Sequence, residues 1–244
     1  MIMASTLTIP WAGQRWELRP EKAVVHQETR TVIVADLHLG KSGHFRSRGI
    51  PVPGEADGDT LDRLGRLLEA VAAETLVVLG DFFHSREGVT PDLLDRLCRF
   101  RDGFSFVDMV NVRGNHDQHA GDPPSELGIR CLSGPVEDDG VRYCHEPPST
   151  PSRLRSDAAD RAGVPGLPVM AGHLHPAVVM QSRNDRLRMP CFRFTATEAV
   201  LPAFGTFTGM TAIRPEPLDR IFVVGPGRVA DVSRALGCGQ AAGV

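Results

Sequence analysis

The sequence predicts an α/β fold in which helices flank layered sheets, and two observations carry that reading. Three segments, "TVIVADLHLGK" (31–41), "TLVVLGDFFHS" (75–85) and "FVDMVNVRGNHD" (106–117), each run an apolar, β-branched stretch into a polar turn. Short runs of this kind fit strands buried on both faces. The intervals between them carry helical periodicity. Strand, helix, strand, helix, strand implies a core joined by right-handed crossovers.

Each element has its own warrant. In "DTLDRLGRLLEAVAAE" (59–74), Leu61, Leu64, Leu68 and Val71 form one stripe with charge opposite. "TPDLLDRLCRFRDG" (90–103) opens on Thr90 as N-cap with Pro91 at the first helical position, and closes at Gly103. In the second half, "VRYCHEPP" (141–148) and "LPVMAGHLHPAV" (167–178) are again strands that end in His. "FRFTATEAVLPAFG" (192–205) and "RIFVVGPGRVADVS" (220–233) predict strands with hairpin turns. Gly225–Gly227 is such a turn and not a phosphate loop, because no Lys and no helical pattern follow it. The stretch 147–166, rich in Pro, Ser and Arg, predicts a surface excursion over a single domain spanning 1–244.

Composition narrows the function classes. With 41% hydrophobic and 23% charged residues the chain reads as globular, and a net charge of −3 gives no global pull on nucleic acid. Any such contact has to come from a local basic patch. No apolar run approaches the ~20 residues that span a bilayer, and the N-terminal stretch lacks the pattern of a secretory signal, so the expected location is cytoplasmic, away from membranes. Five dispersed cysteines without a C-x-x-C pair argue against a disulfide framework and a thiolate zinc site.

The strand ends carry the chemistry. In order they present Asp36 and His38, Asp81, Asn115 with His116 and Asp117, then His145, and last His173 and His175. Six of the nine histidines fall at such junctions, the place where sites assemble in open α/β sheets. Carboxylate, imidazole and amide without thiolate suit manganese, iron or zinc in a hydrolytic site. D-x-H and H-x-H on an extended backbone would turn both side chains of each pair to one face. The seven candidate ligands Asp36, His38, Asp81, Asn115, His145, His173 and His175 are too many for one tetrahedral ion and suit two. Any one of them alone would read as loop polarity or a satisfied core histidine; the set does not.

"DLHLGK", "GDFFHS", "RGNHD", a later lone His and "GHLHP" resemble, in order, the five blocks of the calcineurin-like metallophosphoesterases, across residues 34–176. "DLHLGKSGHFRSRGIPVP", "HEPP" and "LPAFGTFTG" are similar to the bacterial branch of ligase-associated DNA damage response endonucleases. The resemblance implies a four-layer α/β/β/α sandwich with mixed sheets and a site at the carboxyl ends of the strands. It implies a dinuclear centre, manganese first with iron or zinc compatible, in which Asp36, His38 and His175 hold one ion. Asn115, His145 and His173 hold the other, and Asp81 bridges them. His116 becomes the residue that protonates the leaving group, with Asp117 beside it to fix its tautomer. The implied activity is phosphodiester hydrolysis, in DNA, working with a DNA ligase, a helicase and a nuclease. A phosphodiesterase or phosphatase for small substrates such as cyclic nucleotides is the alternative. A scaffold that has lost the chemistry fits poorly, since every metal position is present.

The family often writes its second block G-D-x-x-D, where this chain has His84; His84 therefore stays outside the ligand set, as a residue that orients a ligand or ends a turn. In "KSGHFRSR" (41–48), Lys41, Arg46 and Arg48 are candidates for contact with a phosphate backbone. His26, His44 and His119 read as surface or capping residues. A sheet edge near 192–205 offers a place for a second copy to pair.

Overall fold

The strands that the apolar runs predict form, but they end early and the polar residues follow them in loops. The computed structural model describes residues 5–52, 56–150, 166–181 and 186–239. One sheet takes β1 (Leu7–Trp11), β2 (Gln14–Arg19), β3 (Ala23–His26), β4 (Thr31–Val34), β5 (Thr75–Val78), β6 (Asp108–Val112) and β7 (Ile129–Leu132) in sequence order. The pairs from β1 to β4 are antiparallel and those from β4 to β7 parallel. Helices α1 (Lys41–Ser47), α2 (Ala56–Val71), α3 (Pro91–Gly103) and α4 (Asp117–Ala120) lie in the crossovers and after β6. The Thr90 side chain caps α3 through the Leu93 N–H (3.3 Å), with Pro91 inside the first turn.

The second sheet is built from β8 (Val136–Asp138), β9 (Val141–Cys144), β10 (Val169–Ala171), β11 (Pro176–Gln181), β12 (Arg186–Phe194), β13 (Glu198–Val200) and β14 (Thr211–Ala212), in the order β14-β11-β12-β13-β10-β9-β8. A hairpin of β15 (Arg220–Gly225) and β16 (Arg228–Asp231) branches from β12, turning at Gly225–Gly227 as the sequence predicts. β10 runs parallel to both of its neighbours while β12 and β13 are antiparallel, so this sheet is also mixed.

Alternation along the strands sorts the core into two layers. Val32, Val34, Leu76 and Val78 face Leu61, Leu64, Leu68 and Leu97 of the helices. Ile33, Ala35, Val77 and Leu79 pack instead on Tyr143, Met170, Phe192 and Phe222 of the second sheet. A period of two on doubly buried strands produces this division, and each fully buried side chain of this size contributes on the order of 1.5–3 kcal/mol. Trp11 ties the two sheets, edge-on to Phe194 at 5.5 Å and donating its indole N–H to the Thr195 carbonyl at 2.8 Å. On the outer face of the second sheet, Val178, Cys191, Ile221 and Val223 meet Leu236 and Cys238 of the C-terminal segment.

Three parts differ from expectation. Among the described residues, the stretch 192–205 offers no sheet edge for a second copy, because β12 pairs with β11, β13 and β15 and β13 lies between β12 and β10. The antiparallel strands β1–β3 and the helix α1 over Lys41–Ser47 were not evident in the sequence. Most of the 147–166 excursion lies outside the described residues. Among the described residues no helix is long and apolar enough to cross a membrane.

Candidate metal centre

Three of the loops that carry predicted ligands curl where their strands stop. Asp36 (φ 54°), His38 (47°), Asp81 (51°), His173 (67°) and His175 (46°) all adopt left-handed backbone, a region that non-glycine residues seldom occupy. The extended D-x-H and H-x-H geometry is therefore not what is found. A strand carried straight on would pass the site, whereas two left-handed residues per motif bend the chain back and aim both side chains inward. Neighbouring loops hold this shape: the Asp36, His38 and Leu39 N–H groups donate to the carbonyls of Gly80 (3.2 Å), Asp81 (2.8 Å) and Phe82 (2.9 Å). Strain of this kind concentrates at functional sites.

The seven predicted ligands come together in two nests. In the first, His175 Nε2 stands 3.3 Å from His38 Nε2 and 3.4 Å from Asp36 Oδ1. In the second, His145 Nε2 is 2.9 Å from Asn115 Oδ1 and 3.0 Å from His173 Nδ1, and that His173 nitrogen is 3.1 Å from the same oxygen. Asp81 lies between them, with Oδ2 at 3.6 Å from His38 Nε2 and Oδ1 at 3.5 Å from His145 Nε2.

The donor chemistry asks for cations. His145 Nδ1 is 2.9 Å from the Leu79 carbonyl and so carries a proton there. This makes Nε2, turned to the Asn115 amide oxygen, the atom open to a metal ion once it has shed its own proton. With Nε2 deprotonated the two atoms are both acceptors and repel unless a positive species stands between them, a proton at low pH or a bound metal ion above it. Metal–ligand bonds of ~2.0–2.2 Å place neighbouring donors of one ion about 3–3.5 Å apart, the spacing seen in both nests. Asp36 and Asp81 are 0% and 1% exposed, and their ion-pair partners among the described residues are histidines. Such burial is expensive without cationic compensation. Glycines complete the cradle: a Cβ on Gly114 would fall onto Asp81 Oδ1, and one on Gly80 onto His145 Nδ1.

Protein charges alone leave the site unbalanced. Burial raises the Asp81 carboxyl to about 6, helped by the like charge of Asp36 and opposed by His145 and His116. Burial works on Asp36 too, but His175, with His145 and His38, holds that carboxyl well below the usual range. His38 is pushed down to about 2 by burial and stays neutral, its imidazole open to act as a ligand. His145 and His175 move up, since the carboxylates outweigh burial.

His116 begins α4 beside this centre. Its N–H donates to Asp81 Oδ1 (2.9 Å), its ring lies 4.9 Å from that of His38, and its Nδ1 is 2.7 Å from the His84 carbonyl. That carbonyl, not Asp117, fixes the His116 tautomer. Asp117 is buried behind the site and accepts from the Phe82 N–H (2.9 Å), the Gly114 N–H (2.9 Å) and Asn111 Nδ2 (3.1 Å). One residue of helical rotation turns its side chain away from His116 and into the protein. The tautomer-fixing role expected of Asp117 is therefore corrected to that of a clamp on the loops carrying Asp81 and Asn115.

His84 is the neighbour that the ligand list omits. Its Nδ1 lies 3.5 Å from His38 Nδ1 and its ring stacks on His116 at 4.8 Å. Burial and Lys41 push it down to about 4, so it is neutral and can orient His38 from behind. His38, His84 and His116 also offer three ring nitrogens within 4.8 Å of one another. The position three residues after Asp81 was the available signal. His44 sits in the next layer, 2.8 Å from Ser85 Oγ. His26 is buried against Thr29, and His119 is exposed near the Asn115 carbonyl.

Of the three basic candidates, Lys41 faces the centre, half-buried and with Asp81 acting on it. Arg46 and Arg48 are exposed on and beyond the end of α1, where they act on Asp57 and Glu87. The structure does not bring those two to the metal loops.

With the geometry in place, comparison with known proteins is direct. The family model of the calcineurin-like phosphoesterase superfamily domain matches residues 30–190. No curated protein sequence matches the chain significantly. The crystal structure of the Pseudomonas putida nuclease MPE superposes with a TM-score of 0.74 at 35% identity, covering 91% of this chain and 98% of that one. The family binds a dinuclear metal site, and the histidine and aspartate groups described above are candidates to hold it. The chain belongs to the calcineurin-like phosphoesterase superfamily and is a metal-dependent phosphoester hydrolase.

Proposed function

We propose that the chain is a dinuclear phosphodiesterase that cleaves phosphodiester bonds in nucleic acid, DNA first. Asp36, His38 and His175 would hold one ion, Asn115, His145 and His173 the other, and Asp81 would bridge them. The observation that carries this reading is Asp81, one carboxylate with an oxygen turned to each nest. When bound, two divalent ions lower the pKa of water toward neutrality and offset charge on the phosphate oxygens. The donor set is compatible with manganese, iron or zinc, and the sequence resemblance puts manganese first.

The residues around the ions divide the remaining work. His116 holds its Nδ1 proton against the His84 carbonyl, so Nε2 is the ring atom that takes up a second proton and, from the imidazolium, hands it to the departing oxygen. His84 keeps His38 oriented, Asp117 keeps the Asp81 and Asn115 loops together, and Lys41 adds positive charge on the open side. Similarity to a nuclease supports nucleic acid as substrate, and the sequence resemblance adds a cytoplasmic repair setting with a DNA ligase, a helicase and a nuclease. The decisive experiment compares chelated and metal-reconstituted protein on a phosphate monoester, a bis-aryl phosphate diester, a cyclic nucleotide, and single- and double-stranded DNA. Manganese-dependent cleavage of the diester and DNA is expected. Cleavage confined to the cyclic nucleotide or monoester would move the assignment to small substrates.

A further inference from the structure

A cavity of about 200 Å³ opens next to the metal centre, lined by His175, Lys22, Pro202, Thr206, Thr208 and Met210. The loop that forms its wall is pinned to the first metal loop, with the Phe204 N–H donating to the Ala35 carbonyl (2.7 Å) and the Gly205 N–H to that of Asp36 (3.1 Å). Whatever enters the cavity therefore lies one ligand away from the reacting centre. Lys22 reaches it from the turn between β2 and β3, on left-handed backbone (φ 69°). Its ammonium donates to the Ala203 carbonyl at 3.1 Å, one of three donations it can make. No carboxylate pairs with it among the described residues, and the charged group that acts on it is Arg63, of like sign. Arg63 itself lies over the Phe204 ring at 4.3 Å, behind the same loop. A buried ammonium whose charged neighbour is another cation is unfavourable until an anion arrives. Arg63, outside the lining, has Glu21 and Asp59 acting on it, and Lys22 is the cation that faces the cavity. Burial lowers Lys22 to about 8, which leaves it mostly charged at neutral pH. Taking ~30 Å³ per water, the space holds roughly seven waters, room for a phosphate and part of its sugar.

We propose that this cavity seats a phosphate of the nucleic-acid strand adjacent to the scissile one, with the Lys22 ammonium as its counter-charge. The proposal rests on the phosphodiesterase reading and gives that reading its preference for a polymer. A bis-aryl phosphate diester has no second phosphate and makes no use of the cavity.

The test follows the ratio of kcat/KM on a short DNA oligonucleotide to kcat/KM on bis(p-nitrophenyl) phosphate, with manganese. Lys22→Met should lower that ratio at least about tenfold, in line with the loss of a hydrogen bond to a charged group, and Lys22→Arg should restore it. A neutral methylphosphonate beside the scissile linkage should reproduce the loss in the unaltered protein, and Lys22→Met should add nothing to it. Oligonucleotide affinity read against salt should lose about 0.7 from its logarithmic slope, one phosphate contact on a single strand. A ratio within twofold of the starting value overturns the proposal, as does multiplication of the variant and methylphosphonate losses. If the manganese-loaded protein leaves the bis-aryl ester intact, the phosphodiesterase reading fails, and the salt slope still decides for or against Lys22.

Discussion

Replacing Asp81 by Asn should stabilise the protein in chelator and abolish its response to metal. Asn keeps the shape of Asp81 and an oxygen to accept the His116 N–H, bonded now at 2.9 Å, but it removes the charge. With protein groups alone, burial moves the Asp81 carboxyl from 3.8 to about 6, which at roughly 1.4 kcal/mol per pH unit is a penalty of about 3 kcal/mol on the ionised form. The raised folded value means that the native state holds its proton more tightly than the unfolded chain. The penalty is therefore absent below pH 3.8, grows between 3.8 and 6, and is fully present above 6. At pH 8 with chelator, Asp81→Asn should gain up to about 3 kcal/mol, roughly 6–12 °C in Tm for a chain of this size; near pH 4 the gain should vanish. Added manganese should raise the Tm of the unaltered protein by mass action and leave that of the variant nearly unchanged, with activity at background. Thermal unfolding with and without chelator at both pH values reads all of this. A variant less stable than the parent at pH 8 in chelator, with its metal response intact, would refute the bridging role.

Metal affinity should rise with pH across 5.5–8, because a cation must displace protons from Asp81, raised to about 6, and from His145 and His175, both raised, whereas His38, lowered to about 2, does not compete; titration calorimetry that shows a flat profile would count against the ligand set. His116→Ala should bind metal to the same stoichiometry and lose most turnover, by about 10²–10⁴-fold for a general acid, and elemental analysis that finds an emptied site would reassign it. Asp117→Ala should destabilise the fold by about 3–5 kcal/mol, since it strands three buried donors, from strand β6 and the loops after β5 and β6, and Asp117→Asn should recover part of that in denaturant unfolding. Gly114→Ala should leave secondary structure unchanged by circular dichroism but weaken metal binding, because the added methyl falls onto Asp81 Oδ1.

Much of the centre was legible because its signals are local. An apolar run that stops at Asp36, Asp81 or Asn115 announces a strand end, and seven donors at five such ends leave few alternatives to a metal site. The backbone that delivers them was not legible, because left-handed turns at aspartate and histidine are imposed by the neighbouring loops and leave no mark in the sequence. Asp117 was misread for a related reason: adjacency in sequence does not give direction once a helix has begun. The helix α1 escaped notice because its buried face is Ser42 and Gly43, packed closely on the backbone of Gly88, so it has no apolar stripe. β1 and β2 hold alternating polar residues and Pro10, which weakens the strand pattern. The turn at Ala12–Gly13 was the cue that could have marked that hairpin.

The two sheets contribute to the centre unequally and from opposite sides. The first supplies Asp36, His38, Asp81 and Asn115, and the second His145, His173 and His175. A cation pair held by the proposed ligands would act as a rivet through the seam between them, where Phe192, Phe194 and Phe222 pack. Catalytic competence would thus be tuned from a distance: a bulkier side chain at Ala199, deep in that seam, would prise the sheets apart without touching a single ligand.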